Sequence, residues 1–176
     1  MSAIKVSAYR WVPPFAQGLV RDLRVRWALE EAGLPYEERL LDFREKPESY
    51  RKIQPFGQVP AFEEGALILF ESGAIVQHIA ERSDALLPPD PSERARARSW
   101  MFAALNTVEP PIMFLVQIDL KFADDDAAMR LREGAVDAVM GRLEGVAAWL
   151  EFHRRFWAGS FDRLDAQLKS EKKKSR

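Results

Sequence analysis

Two short groups of residues could do chemistry together: Val59-Pro60 and, a hairpin's length further on, Glu71-Ser72. Pro60 has no N–H to give to a sheet and belongs at an edge or a strand start. The amide of Val59 is then free to pair with an incoming extended chain, as in strand addition at a sheet edge. Ser72 precedes Ile75, Val76 and Ile79 at helical spacing, so it reads as the N-cap of a helix. The N–H groups and positive dipole end of such a helix suit a carboxylate. A backbone dock beside a carboxylate site is what a fold that binds a small peptide would offer.

Other chemistries have less support. The chain has no cysteine, which excludes disulfides, cysteine-ligated zinc and a cysteine nucleophile. Its two histidines, His78 and His153, have no partner acids at ligand spacing, so no metal site is expected. The terminal run K-S-E-K-K-K-S-R would attract phosphates, but the rest of the chain is slightly acidic and does not interleave basic with aromatic residues. It reads as a solvated tail, and no nucleic-acid partner is expected.

The elements that must hold the two groups can be placed by periodicity. Ile4–Tyr9 alternates as a first strand, Arg10–Gly18 is a proline-bearing loop, and Leu19–Ala32 is a helix with a broad apolar surface, stopped by Gly33 and Pro35. Tyr36–Leu41 is a second strand and Pro47–Ile53 a short irregular helix. Val59–Phe62 and Leu67–Phe70 are two strands joined by a hairpin through Glu63-Glu64-Gly65. The order is β-α-β-α-β-β-α. Leu86–Pro91 is a proline-rich linker. Helices over about Glu93–Gln117 and Asp125–Phe152 follow, the first broken or kinked by Pro110-Pro111 after Glu109. The second carries a stripe of Leu131, Ala135, Val139, Leu143, Val146 and Leu150, which marks a bundle helix.

Val59-Pro60, the hairpin and Glu71-Ser72 resemble the glutathione-binding half of glutathione S-transferases. Arg24–Tyr36 is similar to that family's first helix and the entry into its second strand, and Gln54-Pro55-Phe56-Gly57 to the loop before its proline. The resemblance covers roughly residues 1–152. It implies an α/β thioredoxin-like N-terminal domain followed by an all-α helical domain, a cis proline at Pro60, and glutathione as co-substrate with no metal. Implied glutathione-binding residues are Gln58, Val59, Pro60, Glu71 and Ser72. Val59 would pair its backbone with the cysteinyl part, and Glu71-Ser72 would hold the γ-glutamyl end. The implied domains are 1–84 for glutathione binding, 85–91 as linker, 92–160 as a shortened helical domain and 161–176 as a basic tail. After the second bundle helix the family's usual capping segment is not recognisable, which leaves apolar helix faces thinly covered. A homodimer is expected.

The group that activates the thiol departs from the family's pattern. The position that holds Ser or Cys in many members falls on Leu19. Tyr9, at the end of the first strand, is the best remaining hydroxyl and the candidate catalytic residue, with Ser7 behind it. A thiol of pKa near 8.5 needs a drop of about two units, roughly 2.7 kcal/mol, to ionise at neutral pH. A hydrogen bond to the charged form contributes about 1.5–3 kcal/mol, and a helix N-terminus up to about 2 kcal/mol. Amides at Gly18–Val20, the first helix and Arg21 are therefore an alternative to a hydroxyl. Asn106 and Glu109 are weaker candidates as polar wall residues beside the thiol site.

With 47% hydrophobic and 30% charged residues and a net charge of −1, the composition is that of an ordinary soluble protein. No long uncharged apolar run or signal peptide is read, so the expected location is cytoplasmic with no membrane partner. The expected function is attack of the glutathione thiolate on a small hydrophobic electrophile, a detoxification-type transfer. The alternative is a non-catalytic glutathione-fold module that binds a partner protein.

Overall fold

Strand β1, Ile4–Tyr9, is the spine of the N-terminal unit in the computed structural model, which describes residues 2–152 and 164–169. Its side chains alternate between two cores, as a strand buried on both faces requires. Ile4 and Val6 enter a cluster with Val25, Ala28, Leu29, Phe62, Ile75 and Ile79. On the opposite face Tyr9 packs against Leu41, Tyr50, Val59 and Ala61.

The flanking strands follow from the connections. Strand β2, Tyr36–Leu41, runs parallel to β1 with Ile4 opposite Tyr36 and Tyr9 opposite Leu41. A parallel pair needs a crossover, and helix α1, Asp22–Glu31, supplies it. Strand β3, Ala61–Glu64, is antiparallel to β1, with Val6 opposite Phe62. Strand β4, Leu67–Phe70, returns beside β3. The sheet order is β2-β1-β3-β4, a thioredoxin-like mixed sheet. As the outer strand, β4 leaves Leu67, Ile68 and Phe70 exposed.

Helix α2, Ser72–Ala80, covers the same face as α1 and sends Ile75 and Ile79 into the first core, both fully buried. A 3-10 turn, Glu48–Lys52, places Tyr50 against the second core. The expected strand boundaries hold for β1, β2 and β4. β3 starts two residues later than its β-forming composition suggests, because Pro60 keeps the chain out of the ladder until Ala61. Glu63 and Glu64 are strand residues and not turn residues. The turn is Gly65-Ala66, with Gly65 at φ +62°, and the glutamates pair with Arg39 at 2.9 Å and Arg82 at 2.6 Å.

Helix α1 begins at Asp22 and not at Leu19. Residues 17–21 form turns, with Gly18 at φ +78°, a value that residues with a Cβ rarely adopt. Asp22 is buried in the first helical turn and forms an ion pair with Arg26, Nε to Oδ2 at 3.1 Å, while Arg26 also donates to Glu38 Oε1 at 2.9 Å.

The chain divides into two compact units, one running to Arg94 and taking in residues 164–169, the other starting at Ala95. Helix α3, Pro91–Ala103, passes through a π-helical turn, Ala104–Val108, into α4, Glu109–Lys121. The expected break after Glu109 is therefore a wider turn ahead of the prolines. Pro110 and Pro111 stand in the first turn of α4, where their missing N–H groups do least harm. By length and composition alone, the helical run Pro91–Lys121 could cross a membrane.

Helix α5, Asp126–Phe152, packs on α4 along a seam that buries Ile118, Ala135 and Val139 and is tied by Arg132 to Asp119 at 2.7 Å. Of the expected stripe, Leu131 and Leu143 are exposed, because a two-helix hairpin buries only a narrow seam. Residues 164–169 are helical; the remainder of the expected basic tail, and His153, lie outside the described residues.

Candidate functional site

The peptide bond between Val59 and Pro60 is cis. Val59 and Pro60 are buried at the start of β3, and Gln58 beside them is exposed. Three side chains hold this loop from below. Gln54, itself buried, accepts the Gln58 N–H at 3.1 Å through Oε1. The Tyr50 hydroxyl donates to the Gln58 carbonyl at 2.8 Å. Ser7 Oγ accepts the Ala61 N–H at 2.6 Å and lies 2.7 Å from the Tyr50 hydroxyl. Residues on both sides of the cis bond are thus anchored, and the N–H and C=O of Val59 are taken by none of these side chains.

Across the hairpin, α2 presents its N-terminus. Its first backbone bond runs from Ile75 N–H to Glu71 C=O at 3.0 Å, so the N–H groups of residues 72–74 precede the helical ladder. Ser72 is the first helical residue and is buried; the cap position belongs to Glu71, which makes no side-chain capping bond. The N-cap expectation for Ser72 is corrected by one position. The reason lies in the backbone of Glu71, at φ 68° and ψ 115°, which turns the chain from β4 into the helix. A residue with a Cβ held there costs of order 1–3 kcal/mol. Glu71, exposed, and Ser72, buried, are adjacent at the positive end of the helix.

Among the hydroxyls near the end of β1, Ser7 is not available as a donor to a ligand. It is 1% exposed, and its oxygen is engaged by Ala61 and Tyr50. Tyr9 is half-buried, with its ring edge-on to Phe43 at 5.2 Å and Lys46 Nζ 5.0 Å above its centre. The same ammonium donates to the Phe43 carbonyl at 3.1 Å, which fixes a cation beside the tyrosine. Leu19 is 75% exposed and contributes no acid.

The helix-dipole alternative is weaker than the sequence suggests. α1 starts three residues beyond Leu19, the Leu19 N–H is bonded to Ala16 C=O at 3.0 Å, and the Asp22 carboxylate already occupies the first turn. An anion there competes with a thiolate for the same positive end. Asn106 lies exposed in the π turn and Glu109 opens α4.

Tyr50, Gln54 and Lys46 were not singled out by residue type. The signal for the first two is their spacing of four, which puts both on one side of a short helical turn. Burial raises the Tyr50 hydroxyl above its ordinary pKa, against a smaller opposing effect of the bond from Ser7, and so keeps it protonated as a donor. No group of residues that could hold a metal ion occurs among the described residues.

The glutathione S-transferase N-terminal domain model matches residues 16–81. Glutathione S-transferase PARB of Nicotiana tabacum is 35% identical over 134 residues, which is 69% of this chain and 63% of that protein. A glutathione S-transferase of Hyoscyamus muticus matches to the same extent. The chain thus spans less than two thirds of these curated relatives. Among solved structures, the theta class enzyme of Xanthomonas axonopodis pv. citri, determined with glutathione bound, is 30% identical with a TM-score of 0.67, over 86% of this chain and 72% of that one. The sheet order, the cis Val59-Pro60 loop facing the start of α2, and these matches agree: the chain belongs to the glutathione S-transferase family.

Proposed function

We propose that this protein is a glutathione-dependent transferase that joins the glutathione thiolate to a small hydrophobic electrophile. The observation that carries the reading is the pairing of the anchored Val59-Pro60 loop with the N-terminus of α2. Val59 offers one N–H and one C=O to the cysteinyl segment of glutathione, as an added strand would. Ser72 and the N–H groups behind it receive the γ-glutamyl carboxylate, Glu71 receives the α-amino group, and Gln58 lies at the rim of the dock. Binding at the γ-glutamyl end and along the cysteinyl backbone brings the sulfur to a defined place near the end of β1.

Tyr9 is the proposed donor to the thiolate. Its hydroxyl is the one left at the end of β1 once Ser7 is engaged elsewhere, and Lys46 adds positive charge beside it. The thiolate attacks the electrophilic carbon, the new C–S bond forms as the leaving group departs or the acceptor takes the electron pair, and most of the rate gain comes from holding the partners together. We assign the working form to the cytoplasm, as a homodimer acting in detoxification, with residues 1–84 binding glutathione, 85–91 linking and 92–160 forming the helical domain. Exposed Met113, Phe114 and Leu120 on the helical unit support association.

A second reading, a non-catalytic module that keeps the fold to bind a partner protein, is favoured by Leu19 at the usual Ser or Cys position. Calorimetry with glutathione, on the parent chain and on Ser72→Ala, tests the site: binding by the parent that weakens about ten-fold in the variant supports it. No binding by the parent overturns it. Ultraviolet absorbance of the bound thiolate then separates the readings, since a depressed thiol pKa requires the enzyme and an unshifted one the module.

A further inference from the structure

The hydrogen-bond chain under the cis loop has a direction. Tyr50 has one hydroxyl hydrogen, and the Gln58 carbonyl can only accept it, at 2.8 Å. The hydrogen in the 2.7 Å contact between Ser7 and Tyr50 must then come from Ser7. Ser7 Oγ in turn accepts from the Ala61 N–H at 2.6 Å. The chain runs from Ala61 N–H through Ser7 and Tyr50 to Gln58 C=O, and it spans the Val59-Pro60 bond with two side chains from elsewhere in the fold. Ser7 is 1% and Tyr50 3% exposed, and the links between Ala61, Ser7 and Tyr50 are buried, so water does not compete for those two.

Both contributors sit on rigid supports. Ser7 lies in the middle of β1, between residues paired to β2 and β3. Tyr50 is packed among Leu41, Val59 and Ala61. Gln54 secures the remaining Gln58 backbone group, its N–H. On one side of Val59-Pro60, Gln58 is therefore fixed at its N–H and C=O, and on the other, Ala61 at its N–H. The Val59 N–H and C=O between them are held in direction without being used. Loss of one link frees the Gln58 carbonyl to rotate, and the Val59 N–H turns with it, because these two groups belong to one planar peptide unit.

We propose that Ser7 and Tyr50 are positioning residues for glutathione: their ordered hydroxyl pair aims the Val59 N–H and C=O at the cysteinyl backbone without touching the ligand. The inference rests on the proposed glutathione site and adds to it the reason the dock is preformed. A site built on locked side chains loses affinity when the supporting layer is loosened, even where no ligand contact is removed. The two hydroxyls act as one unit, so their removal is not additive.

The test is calorimetry of glutathione on the full chain, as parent, Tyr50→Phe, Ser7→Ala and the double variant, with Ser72→Ala as control. Tyr50→Phe and Ser7→Ala are each expected to raise the Kd about ten-fold, equivalent to ~1.4 kcal/mol. The double variant should fall within about three-fold of either single one, as expected of coupled partners. A role in stability alone would not alter the ligand's imprint on the loop, so amide NMR is the second readout. Saturating glutathione should shift the Val59 amide resonance of the parent, and that shift should shrink in Tyr50→Phe. Should Ser7→Ala fail to fold, Tyr50→Phe decides alone. A folded Tyr50→Phe with parental Kd and a parental Val59 shift overturns the inference while the site itself stands, provided Ser72→Ala has weakened binding. A parent that binds no glutathione overturns the site reading first and this inference with it.

Discussion

At the scale of single residues, Glu71 combines a backbone cost with a ligand role. Its φ of 68° is tolerated better by glycine, so Glu71→Gly is expected to stabilise the fold by up to about 1 kcal/mol while weakening glutathione binding by about ten-fold. Urea unfolding and calorimetry on the same preparation check the opposed signs. Tyr9→Phe keeps the ring contacts with Phe43 and Lys46 and removes only the hydroxyl. It should leave stability within about 0.5 kcal/mol and raise the pKa of bound glutathione thiol by about one to two units, read from thiolate absorbance against pH. Tyr50 carries a pH signature of its own. Its folded pKa lies above the ordinary value of 10.0, so the folded state binds the proton more tightly. The associated stability is complete below pH 10 and is lost as pH rises through the folded value, a fall that alkaline denaturation should show more steeply in the parent than in Tyr50→Phe, where Tyr36, raised in the same direction by burial, still contributes. Pro60 and the acid-serine pair could be found in the sequence because proline and helix-start chemistry are local, whereas the cis bond was implied by the family resemblance alone. Ser7 and Tyr50 could not, since they meet across 43 positions and their role exists only once the sheet has formed.

At the scale of elements, the boundaries that periodicity missed are those set by tertiary contacts. Leu19–Ala32 has helical composition throughout, yet the helix waits until Asp22, whose carboxylate is buried against Arg26 as Arg26 reaches β2 at Glu38. Arg26 keeps its bond to Glu38 when Asp22 is removed, so Asp22→Ala should cost about 1.5–3 kcal/mol, the loss of one buried charged contact. Asp22→Leu with Arg26→Met together should cost less than Asp22→Ala alone, as equilibrium unfolding will show. β1 was legible from its alternation, β2 from Gly33 and Pro35 ahead of it, and β4 from a run of β-forming residues after Gly65. The π turn at Ala104–Val108 was not, because proline predicts disruption of a helix without saying on which side it is absorbed. A widened turn lets the chain meet Pro110-Pro111 at helix-start positions and continue to Lys121. Replacing both prolines by alanine should lengthen regular α-helix through this region and raise helical ellipticity.

At the scale of the molecule, the order of elements and the linker region were readable from alternation and proline content, but the extent of burial was not. A helix stripe states which residues are apolar; how many are covered depends on what is packed against them. Leu131 and Leu143 show the difference, exposed at 59% and 40% on a helix that buries Ala135 and Val139. Sedimentation of the purified chain at micromolar concentration is expected to give a dimer, and a monomer of ordinary thermal stability would count against association as the cover for such residues. The outer strand β4 has a separate consequence, for handling the protein. Leu67, Ile68 and Phe70 are exposed beside a free row of backbone donors and acceptors, with none of the charge by which edge strands usually repel one another. The opposite edge, β2, carries Glu37, Glu38 and Arg39. Strand-to-strand growth between copies should therefore begin at β4, and Ile68→Lys should raise the soluble yield on expression and slow the rise of turbidity on warming, with the fold and its ligand affinity unchanged.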